Sequence, residues 1–463
     1  MQWKRRARLA QLFFVVLGLV YLPRAIGQTA LDRYVAAPDT TYKYGLANKV
    51  AGPGYTTYVL EMTSQQWKTT AEVDHPVWKH WVTLIKPDRV GSPIGFLSIT
   101  GGSNDDPMPK KPDSTLVAMA LSTNTITSEI RMVPNQPLRF ADENKERVED
   151  DIIAYTWDKF IRTGDDSWPL RLPMTKSALR AMDTVTAFCR SLDSGICPEK
   201  FVVGGGSKRG WTTWMTAATD RRVIAIAPMV IDLLNLEPSF DHHFRAYGYW
   251  APAIHAYEAM NIMQWIGSKP YRKLMDIEDP YSYLDRLTMP KYIINAGGDE
   301  FFLPDSSQFY FAELKGEKHL RYVPNTGHAL QGSDARESLQ AFYESIVNGV
   351  ARPELFWKRS KDGTLRVTTS TKPSEVKLWR ETNPTARDFR ISSIGEAYKE
   401  SVLTEHGGIY SAEVKRPKHG WTAYFIELTY PTGGKHPLKF TTSVYVTPDS
   451  LPSGPPPKGK AAN

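Results

Sequence analysis

Ser207, Asp299 and His328 occur in that order along the 463-residue chain, and each sits in a short loop that follows an apolar run. These are residue types that can perform acyl transfer together. A serine hydroxyl is a poor nucleophile at neutral pH. It needs a general base to take its proton, and the base needs an acidic partner to fix its tautomer.

The serine has the most telling surroundings. Phe201-Val202-Val203 runs into Gly204-Gly205-Gly206, then Ser207, and a helical pattern follows from Lys208 to about Thr219. Strand, tight turn and helix with serine at the turn is the setting of a nucleophile elbow. Such a turn strains the backbone of its own serine and needs tiny neighbours so that strand and helix can pass closely. Gly205 stands two residues before Ser207, as G-x-S-x-G requires, but Arg209 stands two after it and Gly210 comes one later. The pattern therefore departs on one side. A phosphate cradle is the competing reading of a Gly-rich turn, but neither G-x-x-x-x-G-K-[ST] nor G-x-G-x-x-G is present.

Asp299 lies in Asn295–Glu300, just past a Tyr292–Ala296 strand, and His328 lies in Pro324–Ala329, just past a Leu320–Val323 strand. In a parallel sheet both loops fall on the same edge as Ser207. Glu300, and Asp232 after the Val223–Ile231 strand, are alternative acids. An oxyanion hole needs two preorganised donors. The Lys208 backbone N–H is one candidate, and Gly102, in the loop after the Ile94–Thr100 strand, is the other. The side chains of Lys208 and Arg209 either bind a carboxylate or help hold the oxyanion, or they pair with surface acids, as exposed charges do by default. His242 and His243 are adjacent, but no carboxylate or cysteine set completes a metal site and no H-E-x-x-H occurs, so neither metal nor cofactor is expected.

The elements that must carry these residues alternate. Strands are expected at Val77–Ile85, Ile94–Thr100, Thr125–Val133, Phe201–Gly206, Val223–Ile231, Tyr292–Ala296 and Leu320–Val323. Helices are expected at Ser114–Ser122, about Glu146–Thr163, Thr175–Leu192, Ser306–Leu314 and Ala335–Asn348. Such alternation gives a mostly parallel sheet covered on both faces, and with the serine motif it gives an α/β-hydrolase fold. Residues 28 to about 75 are expected to begin as an irregular arm. Between about 232 and 290 the alternation breaks into an aromatic-rich helical stretch that includes Trp250. This reads as a cap, with Trp250 a candidate substrate contact. After residue 350 helical periodicity gives way to short strands (Leu355–Arg359, Leu365–Ser370, Val376–Arg380, Phe389–Ser393, Ile409–Lys415, Thr422–Tyr430 and Lys439–Val446), which suggests a β-sandwich over 351–447. The hydrolase domain is then 28–350. Residues 448–463, rich in Pro, Gly and Lys, read as a disordered tail.

Residues 1–27 have the form of a signal peptide. Lys4, Arg5, Arg6 and Arg8 precede an apolar Leu9–Leu22 too short for a comfortable membrane span, and Ala25-Ile26-Gly27 supplies small residues. An exported protein, periplasmic or secreted, is expected, with no stable membrane span after cleavage. The formal charge of +7 falls to +2 without the five basic residues of this segment, which removes any electrostatic case for nucleic acid. The two cysteines, Cys189 and Cys197, are eight apart. In an oxidising compartment a disulfide between them and a pair of buried thiols are both open.

Gly206-Ser207-Lys208-Arg209-Gly210-Trp211-Thr212-Thr213-Trp214, taken with Asn295–Phe302 and Asn325-Thr326-Gly327-His328, resembles the PhoPQ-activated pathogenicity-related protein family. The resemblance covers nearly the whole chain after residue 27. It implies an exported serine-hydrolase scaffold with a C-terminal β-rich region, and it gives no substrate. The elbow is also similar to that of glucuronoyl esterases, whose Gly-x-Ser is followed by a basic residue, here Lys208. Those enzymes usually take their acid from elsewhere in the fold, which keeps Asp299 open. The expected activity is hydrolysis of an ester or amide of a small-molecule, carbohydrate or peptide substrate. The alternative is a binding or signalling protein that keeps the fold without catalysis.

Overall fold

The computed structural model describes residues 28–192 and 195–457. The N-terminal basic and apolar segment, expected to be a signal peptide, lies outside these residues. Among them, a 14-stranded sheet organises the molecule. Its heart is six parallel strands in the spatial order Thr127–Ile130, Ile94–Ile99, Lys200–Gly206, Val223–Met229, Lys291–Ala296 and Lys318–Val323. Val77–Pro87 pairs antiparallel to the first of these.

These strands are apolar on both sides because both sides are covered. Period-two alternation sends neighbouring residues to opposite cores. Phe201 and Val203 join one core with residues of the Arg171–Ser191 and Lys208–Thr219 helices. Val202 joins the other with residues of the Ser114–Thr123 and Ala335–Val347 helices. This is an α/β-hydrolase fold, and its strand ends carry the loops singled out above. Helices Leu236–Tyr247, His255–Ala259 and Lys269–Glu278, with intervening 3₁₀ turns, occupy the cap region.

The β-rich region after residue 350 is built of two packed sheets. Leu355–Arg359, Leu365–Thr369, Ile409–Ala412 and Glu405–His406 form a four-stranded sheet. Its buried Leu365, Val367 and Tyr410 pack with Val376, Leu378 and Ile426. Those last three lie on Glu375–Asn383 and Trp421–Tyr430, which are strands of the main sheet. The link is Leu438–Thr441, which pairs antiparallel to Lys318–Val323.

Four expectations change. Residues 30–66 are a helix, Ala30–Ala36, and a long hairpin of Lys43–Gly52 with Tyr55–Gln66. The first strand is an edge exposed along most of its length, so burial imposes no alternation to read. Ser306–Leu314 is two 3₁₀ turns rather than a helix. Phe389–Ser393 is not a strand; a single helical turn, Ile391–Ile394, stands there. Part of the expected disordered tail is docked: the Ser453 N–H donates to the Arg245 carbonyl (3.0 Å) and Trp421 Nε1 to the Ser450 carbonyl (3.0 Å). Composition marks this segment as loop but does not show that it is pinned.

Cys189 and Cys197 form a disulfide across the connection between the Arg171–Ser191 helix and the Lys200–Gly206 strand.

Candidate active site

Ser207 stands at the turn between its strand and helix with φ 56° and ψ −124°. For a residue with a side chain this is a strained conformation costing about 1–3 kcal/mol, and such strain clusters at functional sites. Packing explains why the turn is so tight. A Cβ on Gly205 would meet the Arg209 carbonyl oxygen at 2.7 Å. One on Gly210 would meet the Gly205 and Met229 carbonyl oxygens, each at 2.9 Å. Strand and helix therefore touch backbone to backbone, and the displaced Gly210 does the work that the usual pattern assigns one position earlier. Val230, at the end of the neighbouring strand, has φ 43°, rare for a β-branched residue.

The three loops meet. His328 Nε2 is 2.8 Å from Ser207 Oγ, and His328 Nδ1 is 2.9 Å from Asp299 Oδ2 and 3.0 Å from Oδ1. With Nδ1 donating to the carboxylate, Nε2 is free to accept the serine proton. Asp299 is 4% exposed, and its Oδ1 also accepts the Phe301 N–H at 2.8 Å. The Phe301 ring lies 4.3 Å from the imidazole, centroid to centroid, and covers it.

The two alternative acids have other work. Glu300 Oε2 accepts the backbone N–H of His328 at 2.8 Å, so Glu300 holds the loop rather than the ring. Asp232 accepts the hydroxyls of Tyr310 (2.5 Å) and Tyr322 (2.6 Å). Burial pushes its carboxyl up to about 7 in spite of them.

Gly327 has no room for a side chain. A Cβ there would sit 2.6 and 2.8 Å from the Glu300 carboxylate oxygens and 2.9 Å from Ile391. Gly327→Ala is therefore expected to displace the histidine loop and lower kcat/KM by about 10²-fold in a folded protein, since small misplacements carry such costs. Steady-state kinetics beside a circular dichroism spectrum would check it.

Lys208 and Arg209, both candidates for substrate contact, are engaged by the protein. Lys208 Nζ is 2.6 Å from Asp150 and 3.5 Å from Glu149. Arg209 grips Glu149 with two bonds of 2.8 and 2.6 Å and gives Nε to the Val133 carbonyl. It lines neither cavity at Ser207, so the expected substrate contact by Arg209 gives way to an internal clamp. Glu149 is itself strained, with φ 51° and ψ −122°. Sequence reading missed it, because only the fold brings it beside the elbow.

Burial alone would raise the Glu149 carboxyl, but the bonds to Arg209 and the charges of Arg209 and Lys208 bring it down to about 2. A depressed carboxylate stabilises the fold above its ordinary pKa of 4.5 and loses that contribution as pH falls toward 2. Glu149→Gln should therefore flatten the fall of Tm between pH 4.5 and 2 relative to wild type, measured by calorimetric scans across that range.

The C-terminal region braces the acid and base loops. The Ile391 N–H donates to the Gly298 carbonyl at 2.9 Å. Asn325 exchanges two bonds with the Tyr398 backbone, 3.0 Å from Nδ2 and 2.8 Å to Oδ1. These residues carried no sequence signal of their own.

Two spaces open on Ser207. One is a narrow cleft beneath the cap, about 600 Å³ counting its mouth, lined among others by Lys208, Trp211, Phe240, Tyr257, Phe301 and Arg171. The other is a wider, open groove along Thr100, Asp113, Glu129, His328 and Arg336. Trp250, expected as a substrate contact, lines neither. It stacks on His243, with centroids 5.8 Å apart, and it is His243 that reaches the cleft. His243 Nε2 accepts the Ala251 N–H at 3.0 Å, and burial holds its pKa down to about 3. His242 bonds Asp305 at 3.0 Å. Gly102, the expected second oxyanion donor, also lines neither space; its carbonyl accepts from Gln136 at 3.0 Å.

Among solved structures, the chain is similar to an acetyl xylan esterase from Paenibacillus sp. R4. The TM-score is 0.48 at 13% identity, covering 68% of this chain and 92% of that one. A glucuronoyl esterase from Solibacter usitatus gives a TM-score of 0.37 at 12% identity, covering 65% and 86%. Among curated proteins, the Autocrine proliferation repressor protein A of Dictyostelium discoideum is 38% identical over 470 residues, spanning 95% of this chain and 94% of that protein. The model of the PhoPQ-activated pathogenicity-related proteins matches residues 31–390, and the chain belongs to that family.

Proposed function

We propose that this protein is a serine hydrolase that cleaves an ester or amide through an acyl-enzyme. Ser207 Oγ attacks the carbonyl. His328 Nε2 takes the proton and returns it to the leaving group, and Asp299 orients the ring and stabilises the imidazolium. The observation that carries this reading is the unbroken chain from Ser207 Oγ through His328 to Asp299 at 2.8 and 2.9 Å, with the serine held strained at its turn.

For the oxyanion we propose the backbone N–H of Lys208 as a donor. Lys208 is the first residue of its helix, where the N–H has no intrahelical acceptor and the dipole favours negative charge. The two spaces then divide the substrate, with the acyl part in the cleft under the cap and the leaving group in the open groove. Export is proposed on the basic and apolar character of residues 1–27.

Turnover of 4-nitrophenyl acetate by the folded protein, beside His328→Ala, is the test. Wild-type release well above buffer and lost in the variant is expected. Release at the buffer rate from folded wild type would remove the reading in favour of a binding protein on a hydrolase scaffold.

A further inference from the structure

The cleft beneath the cap contains a charge that the acyl-transfer machinery does not use. Arg171 begins the Arg171–Ser191 helix, is 0% exposed, and lines the same cleft as Ser207. Its guanidinium is poorly satisfied. Nε stands 3.5 Å from Glu278 Oε2, too far for a good bond, and Nη1 reaches only the Met174 sulfur at 3.3 Å. Nη2 has no acceptor among the described residues. A buried guanidinium with free donors is costly unless something pairs with it.

The surroundings hold Arg171 in place without neutralising it fully. Its guanidinium lies 4.3 Å from the Trp211 ring, and Trp211 is fixed by a 2.6 Å bond from Nε1 to the Glu278 carbonyl. Burial raises the Glu278 carboxyl against the pull of Arg171, and Asp150 is a second carboxylate whose charge acts on Arg171. Across the cleft the Lys208 charge is met by Asp150, which also accepts the Tyr257 hydroxyl at 2.9 Å. The lining thus has one cation, Arg171, whose ion pair with Glu278 is long at 3.5 Å and whose Nη2 has no acceptor among the described residues.

We propose that the cleft takes an acyl group whose far end is a carboxylate, and that Arg171 Nη2 and Nε bind that carboxylate while Ser207 meets the ester carbonyl at the near end. The substrate class is the half-ester of a dicarboxylic acid, and hydrolysis releases an alcohol and the dicarboxylate. The side of the bond that enters the cleft rests on the acyl-transfer reading above. A guanidinium is suited to the role because its fork matches a carboxylate's two oxygens and it stays charged when buried.

The test is calorimetric binding of succinate, glutarate and adipate beside butyrate, valerate and hexanoate, in wild type and in the charge-matched double variant Arg171→Gln/Glu278→Gln. At least one dicarboxylate should bind wild type about tenfold or more tighter than the monocarboxylate of equal length, as a charge-assisted contact allows. It should also slow labelling of the protein by a fluorophosphonate, and the preference should vanish in the folded double variant. Equal binding of the two series, no binding of any dicarboxylate, or a preference unchanged in the variant would each overturn the inference. The wild-type comparison stands even if the variant does not fold. Labelling without dicarboxylate preference would sink this inference and spare the hydrolase reading. Dicarboxylate preference without labelling would keep the carboxylate site at Arg171 and remove the ester chemistry at Ser207.

Discussion

Asp299→Asn is expected to lower kcat by about 10⁴-fold with the fold intact. Asp299 receives the Nδ1 proton of His328 and is itself held by the Phe301 N–H. An asparagine keeps that geometry but can present its NH₂ to Nδ1. The ring then carries its proton on Nε2, where it must accept from Ser207. The effect should fall on kcat more than on KM, because it removes stabilisation of the imidazolium that forms only in the transition state. Asp232→Asn serves as the control. Asp232 contacts two tyrosine hydroxyls and not the histidine, so its loss of activity should stay within about tenfold. A large loss in Asp232→Asn with little in Asp299→Asn would reassign the acid.

The second expectation concerns the nucleophile. Ser207→Ala should lower kcat by about 10⁶-fold, and Ser207→Ala/His328→Ala should be no worse than either single change, because the two act as one unit. Ser207→Gly should be equally inactive yet more stable than wild type by about 1 kcal/mol, since glycine adopts φ 56° without the strain. Denaturant melts and kinetics on the same preparations would check both halves. A destabilised Ser207→Gly would mean that the turn is relaxed and that its shape says nothing about function.

How much of this was legible in the chain depends on the range of the signal. Ser207, Asp299 and His328, which the fold brings together, could be singled out because each is announced locally, by an apolar strand followed by a glycine-bearing loop, and because parallel strands put their ends on one edge. The roles of Lys208 and Arg209 could not be read. Their partners, Glu149 and Asp150, lie some sixty residues upstream at the head of another helix, and only the tertiary fold joins them. The Tyr398 and Asn325 brace is hidden for the same reason. Arg171 was overlooked because the expected helix started at Thr175, whereas the observed one starts at Arg171 and buries its charge. Trp250 was over-read: an aromatic in a cap is as easily a wall behind a wall, and here it supports His243. The exposed Lys43–Gly52 strand had no buried face to print a pattern on the sequence.

The most direct measurement is peptide mapping by mass spectrometry after fluorophosphonate treatment of the folded protein. One adduct is expected, on Ser207, abolished by Ser207→Ala and strongly reduced by His328→Ala. An unmodified Ser207 in folded wild type, or an adduct on another residue that survives Ser207→Ala, would contradict that expectation.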